Sequence, residues 1–153
     1  MAVPPRWEAL QRYCTSVCAS RCGDTVETRF VRYLVISLGG ILGANARYLL
    51  NNWITVRYGT TFPYGTLVIN VSGSFLIGFF LVLATERFVA HPYWRLFFAV
   101  GFLGAYTTFS AFSAETIILM QSGAWWLGLA YILGSVVLGL VAVVTGMALA
   151  RLF

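Results

Sequence analysis

The chain has 153 residues, 59% of them hydrophobic and 10% charged, against about 45–50% apolar and about 25% charged in a soluble globular domain. That composition places it in a membrane, and at about 20 residues per spanning helix it holds roughly four spans, with no room for a separate soluble catalytic domain. The net charge of +5 comes from ten arginines and no lysine, half of them (Arg6, Arg12, Arg21, Arg29, Arg32) before or at the first span; this reads as a topology signal and not as a nucleic-acid surface.

Residues 1–29 form an N-terminal extension, expected to be disordered or misassigned, and residues 30–153 form the membrane domain. Cys14, Cys18 and Cys22 recur at spacing four in the extension, without the C-x-x-C spacing or the neighbouring histidine of a metal site. They read as free thiols in a reducing cytosol. The extension has no apolar run of the kind a signal peptide needs, and it carries Glu8, Asp24 and Glu27.

Four apolar segments follow, predicted as helices over residues 30–54, 65–84, 96–120 and 125–150. Gly59 and Pro63 mark the first turn, and Pro92 with its neighbouring charges marks the second. Only Gln121, Ser122 and Gly123 separate the last two segments, which predicts an antiparallel hairpin. Trp125 and Trp126 open the fourth span and Arg151 closes it. With both termini inside, Arg87, Arg95, Arg151 and the N-terminal cluster share the inner face and only Arg57 lies outside, so the arginines favour that orientation.

Small residues in pairs four apart (Gly39 with Gly43, Ser74 with Gly78, Ser135 with Gly139) let helix backbones approach closely. Polar stripes ask for more than packing. Thr66, Asn70 and Ser74 line one face of the second helix about 6 Å apart. Tyr131 and Ser135 repeat the pattern on the fourth, and Tyr106, Thr107, Thr108, Ser110 and Ser113 crowd the third. An unpaired amide as deep as Asn70 costs several kcal/mol, so it faces protein or water. The stripes offer donors and ring edges, while Glu86 and Glu115 are expected toward span ends. A donor-rich lining suits a small anion that sheds water; a proton-coupled exporter of cations would want a midplane acid. Gly101, Gly104 and the adjacent Thr107 and Thr108 allow either a broken third helix, its carbonyls free for a hard cation, or an intact kinked one.

Three blocks, GGILGANARY (residues 39–48), GTLVINVSGSFLIG (65–78) and GFLGAYTTFSAFSAE (101–115), resemble the signature blocks of the small fluoride channels, the Fluc or CrcB family. The resemblance covers residues 30–153. It implies an all-α integral membrane fold of four transmembrane helices, the third broken near the midplane, paired as an antiparallel, dual-topology homodimer with two pores in the cell (inner) membrane. It implies a passive fluoride channel that exports cytosolic fluoride and lowers its toxicity, with fluoride, lipid and a second copy of the chain as partners. No nucleic acid and no catalysed reaction are implied.

On the same resemblance, Asn70 matches a pore-lining asparagine, and Phe109 and Phe112 match paired rings whose edges face the permeating ion. Tyr131 and Ser135 match the polar track of the fourth helix, and Arg47 matches an arginine at the pore vestibule, although it could simply snorkel to the interface. Thr108 and Ser110 are further candidates near the track. Gly104 and Thr107 match positions whose backbone carbonyls hold a structural Na+ on the dimer axis. Two departures stand out: Gly139, where some members carry a second track serine, and Tyr106, where a smaller or aliphatic residue is usual. The arginine bias sits awkwardly with dual topology, which leaves a heterodimer with an oppositely biased sibling chain as an alternative. Two rival readings are a small four-helix proton-coupled antiporter and a non-transporting membrane assembly protein. The first lacks a midplane acid, and the second has no need of three donor stripes.

Overall fold

The computed structural model describes residues 26–87 and 91–152. Cys14, Cys18 and Cys22 lie outside the described residues. The chain divides at Leu34 and Val35 into two compact units; the described part of the first is the opening of helix α1, and the packing below belongs to the second. Among the described residues all regular structure is helical, with four helices long and apolar enough to cross a membrane.

Helix α1, Val26–Tyr58, starts four residues before the expected span, with Glu27 in its first turn and Arg57 in its last, each complementing the helix dipole. It ends at Gly59, whose φ of 80° and N–H bond to the Thr55 carbonyl (2.9 Å) make a left-handed cap that a side chain would strain. Helix α2, Tyr64–Val82, is started by Pro63, whose carbonyl accepts from Leu67 N–H (3.2 Å), and runs on through wide i→i+5 turns at Leu83–Arg87. Helix α3, residues 92–106, opens on Pro92 at its first turn, widens into i→i+5 turns at Leu96–Leu103 and closes with Gly104–Tyr106. Thr107 and Thr108 are then extended (φ −80°, ψ 157° and φ −149°, ψ 119°), and helix α4, Phe109–Gln121, begins anew. The third span is therefore broken, which decides between the two conformations its glycines and threonines allow. Gly123 (φ 85°) turns the chain tightly into α5, Trp125–Leu152, as the short connection predicts.

Glycine sets the helix spacing. A side chain at Gly39 would strike the Phe97 carbonyl, and one at Gly43 the Phe102 carbonyl, both on the wide turns of α3; one at Gly101 would come within 2.6 Å of the Ile36 carbonyl. Helices α1 and α3 thus meet backbone to backbone, close enough for Cα–H to carbonyl contacts. The α2–α5 pair is made the same way: Gly78 faces the Val143 carbonyl and Gly146 the Phe75 carbonyl. Between α2 and α3 lies a small core of Ile69, Leu103 and Tyr106, flanked by Ala46, Leu50, Phe98 and Phe102. Tyr106, the departure beside the break, is accommodated: its ring stacks on Phe102 (5.7 Å) and its hydroxyl pairs with Ser72 Oγ (2.9 Å). Gly73 leaves the space that Tyr106 and the Thr107 methyl fill.

These approaches separate the glycines into two classes. Gly78→Ala and Gly146→Ala, whose added methyl meets backbone, should each lower unfolding stability in detergent by about 1–3 kcal/mol. Gly139→Ala, whose methyl would meet only Ser74 Oγ at 3.6 Å, should stay within about 0.5 kcal/mol of the parent.

Candidate functional site

The break in the third span is closed by one side chain. Asn70 Nδ2 donates to the Thr108 carbonyl (3.0 Å), and Asn70 Oδ1 accepts from the Thr108 N–H (2.9 Å). Both halves of that peptide environment are satisfied from α2, where a helix broken inside hydrocarbon would otherwise leave them orphaned. The amide keeps a second N–H and further lone-pair capacity for another partner. The Thr108 hydroxyl caps α4 by accepting from Ala111 N–H (3.2 Å) and lies 3.1 Å from Ser110 Oγ. The positive end of the α4 dipole therefore opens in mid-span, beside Phe109.

The same diversions free two carbonyls. In a continuous helix, Thr108 N–H would bond the Gly104 carbonyl and Ala111 N–H the Thr107 carbonyl. The first now goes to Asn70 and the second to Thr108 Oγ1. These are the two carbonyls that the resemblance assigns to a Na+, and as hard oxygen donors they suit that ion. Gly104 is exposed on the chain's surface, open to a partner. Among the described residues no group of three or more His, Cys, Asp and Glu forms a metal cluster.

One turn toward the α1–α2 loop from Asn70, a carboxylate joins three helices. Glu115 on α4 accepts from Thr66 Oγ1 of α2 (2.7 Å) at Oε1 and from Tyr131 OH of α5 (2.8 Å) at Oε2. Thr66 is buried and Tyr131 is only 1% exposed. Glu115 lies toward a span end, as expected, but it is tied into the site. Its backbone is about 9 Å from the end of α4, and its carboxylate is bonded to a track residue. The signal lay in the spacing: Glu115 is three residues after Phe112 and so shares its face. Thr66, noted in the polar stripe of α2, belongs to the site for the same reason.

Rings connect the two clusters. Phe109 lies 5.8 Å from Phe112, and Phe112 lies 5.1 Å from Tyr131. Phe109 itself is 79% exposed. Ser135, one turn on from Tyr131, holds a buried Oγ with no hydrogen-bond partner among the described residues. Beyond it, the space beside Gly139 is bordered by Ser74 Oγ, so a hydroxyl from α2 stands where the α5 track lacks its second serine. Two hydroxyls of the third span turn back onto their own helix: Thr107 Oγ1 to the Leu103 carbonyl (3.0 Å) and Ser113 Oγ to the Phe109 carbonyl (2.9 Å). Arg47 is half-buried on α1, and no hydrogen bond, ion pair or ring contact among the described residues ties it to this cluster.

Comparison with known proteins adds two findings. The family model described as "CrcB-like protein, Camphor Resistance (CrcB)" matches residues 34–147. The "Fluoride-specific ion channel FluC" of Solibacter usitatus is 56% identical over 121 residues, 79% of this chain and 99% of that protein. The proteins of the same description from Koribacter versatilis (50% over 119 residues, 78% of this chain and 94% of that one) and Rhizobium meliloti (48% over 118 residues, 77% and 94%) are similar over the same extent.

The clamp on Thr108 yields a stability prediction. Asn70→Leu removes both bonds while keeping the side chain's bulk, and thermal unfolding in detergent should show a loss of about 1–3 kcal/mol for each peptide group left unpaired. An unchanged unfolding temperature would mean that Asn70 does not hold the break.

Proposed function

This chain belongs to the CrcB-like protein family, and we propose, from that membership and the geometry of the site, that it is a passive, fluoride-selective channel that lets fluoride leave the cytosol. The observation that carries the reading is the similarity, over 79% of the chain, to a protein described as a fluoride-specific ion channel. It is a multi-pass membrane transporter and catalyses no reaction.

The site suits the ion's chemistry. Fluoride is small and strongly hydrated, so a path for it must replace water with donors at each step without one trap deep enough to stop it. The second N–H of Asn70, the Thr108 and Ser110 hydroxyls and the unpartnered Ser135 hydroxyl are such donors. The ring edges of Phe109 and Phe112 carry the weak positive end of the aromatic quadrupole, and the α4 N-terminus adds its dipole. Arg47 is assigned to the vestibule, where it would attract anions without binding the inner cluster.

The functional unit in this reading is an antiparallel homodimer with the chain inserted in both orientations. Four helices are few to enclose a path, and Phe109 and Gly104 both lie open on the chain's surface. Their exposure supports a second copy completing the ring contacts. A Na+ on the dimer axis would be held by the Gly104 and Thr107 carbonyls of both copies, and its charge would fix the broken segments to each other.

Glu115 is an acid within the cluster, but it stands only six residues from the end of a 30-residue span, so it is not the midplane acid that a proton-coupled antiporter would want. Flux decides between the two. Liposomes carrying the purified protein should release fluoride down its gradient with no proton gradient applied, and should retain chloride. Asn70→Asp and Phe109→Ile should each slow release about tenfold or more, the loss expected when a few favourable contacts in a narrow path are removed. Release that requires a proton gradient, or no release at all, would overturn the channel reading.

A further inference from the structure

The row of rings does not stop at Tyr131. Phe62, in the connection between α1 and α2, stands nearly perpendicular to the Tyr131 ring, with centroids 5.4 Å apart and an interplanar angle of 80°. It also meets Tyr64 at 4.7 Å, and Tyr64 meets Tyr58 at 6.0 Å. Phe62 lies two residues before α2 begins at Tyr64, so its ring reaches Tyr131 from the connection and not from the helix face. Its backbone is fixed from both sides. The Gly59 cap closes α1 behind it, and the Phe62 carbonyl accepts from Tyr64 N–H (2.8 Å) as α2 begins.

Tyr131 is consequently held at three points. Its hydroxyl is fixed by Glu115, one side of its ring meets Phe112 at 5.1 Å, and Phe62 meets it at the near-perpendicular angle aromatic pairs prefer. The first two holds come from α4, which also carries the broken end of the third span. The third comes from the loop alone. Phe62 therefore adds an aromatic hold from outside α4, and its loss would leave the Tyr131 ring freer to turn away from Phe112 and weaken the phenol's bond to Glu115.

We propose that Phe62 is a positioning residue of the anion path, acting through Tyr131: its ring keeps the Tyr131 edge and hydroxyl in register with Phe112 and Glu115. The proposal rests on the fluoride-channel reading and adds to it a residue on a loop that the path does not otherwise use.

Fluoride efflux from liposomes tests it with the full-length chain. Phe62→Leu keeps apolar bulk and loses the ring, Phe62→Ala loses both, and Phe62→Tyr keeps the ring. The first two should slow fluoride efflux about fivefold, the scale expected of one lost edge-to-face ring pair, while Phe62→Tyr stays within about twofold. The deciding readout is a double-mutant cycle with Tyr131→Leu: once the Tyr131 ring is gone, Phe62→Leu should cost nothing further. Wild-type efflux from Phe62→Leu, or a Phe62 effect that persists undiminished in the Tyr131→Leu background, overturns the positioning role. If Phe62→Ala fails to assemble, the Leu and Tyr variants still decide. A wild-type protein that passes no fluoride is a different failure, because it removes the channel reading and the Phe62 role with it.

Discussion

One amide, reaching across 38 residues of sequence, makes the rest of the site possible. Asn70 takes both the N–H and the carbonyl of Thr108, and those two bonds let a membrane-spanning helix stop and restart inside the bilayer. Hydrocarbon offers no water to satisfy a break, so a span of this kind needs an internal partner for each freed group. Three consequences follow from these two bonds together with the cap that the Thr108 hydroxyl places on Ala111 N–H. The α4 N-terminus appears in mid-span, Phe109 is turned out onto the surface, and the Gly104 and Thr107 carbonyls lose their helical donors.

For Asn70 to reach Thr108, α2 and the third span must lie unusually close, and small residues supply that closeness. Gly73 gives way to Tyr106 and Thr107, while Gly78 and Gly146 bring α2 and α5 into backbone contact. On the other side, Gly39 and Gly43 receive the carbonyls of the wide turns in α3. Such i→i+5 turns are rare and gather at functional sites; here they precede the break and present carbonyls to α1. The polar path then runs along α2. Thr66 and Asn70 are each bonded to the third span, and Ser74 stands beside Gly139 of α5.

The four spans, their connecting turns and the final hairpin were legible because composition, proline, glycine and tryptophan mark them locally. The break was not. Gly101, Gly104, Thr107 and Thr108 are compatible with a kink, and what decides the matter is a partner distant in sequence. The wide turns of Leu96–Leu103 carry no mark at all, since LFFAVGFL would serve equally as an ordinary helix. Glu115 was placed toward its span end, but its part in the site was missed because its face was not weighed. Several hydroxyls that looked like path donors, Thr107 and Ser113 among them, are spent on their own helix, a choice of rotamer that sequence does not fix. Phe112 and Tyr131 do meet, and Asn70 holds the break from which Phe109 leads to them, while Arg47 stands apart.

The central claim is that Asn70 holds the break with part of its amide and offers the remainder to the passing ion. The most direct measurement is the side-chain 15N resonance of Asn70 in protein reconstituted in bilayers, identified by its loss in an Asn70→Ser variant and titrated with fluoride and, separately, with chloride at equal ionic strength. The account predicts a saturable shift with fluoride and none with chloride. An Asn70 resonance indifferent to both ions would contradict it.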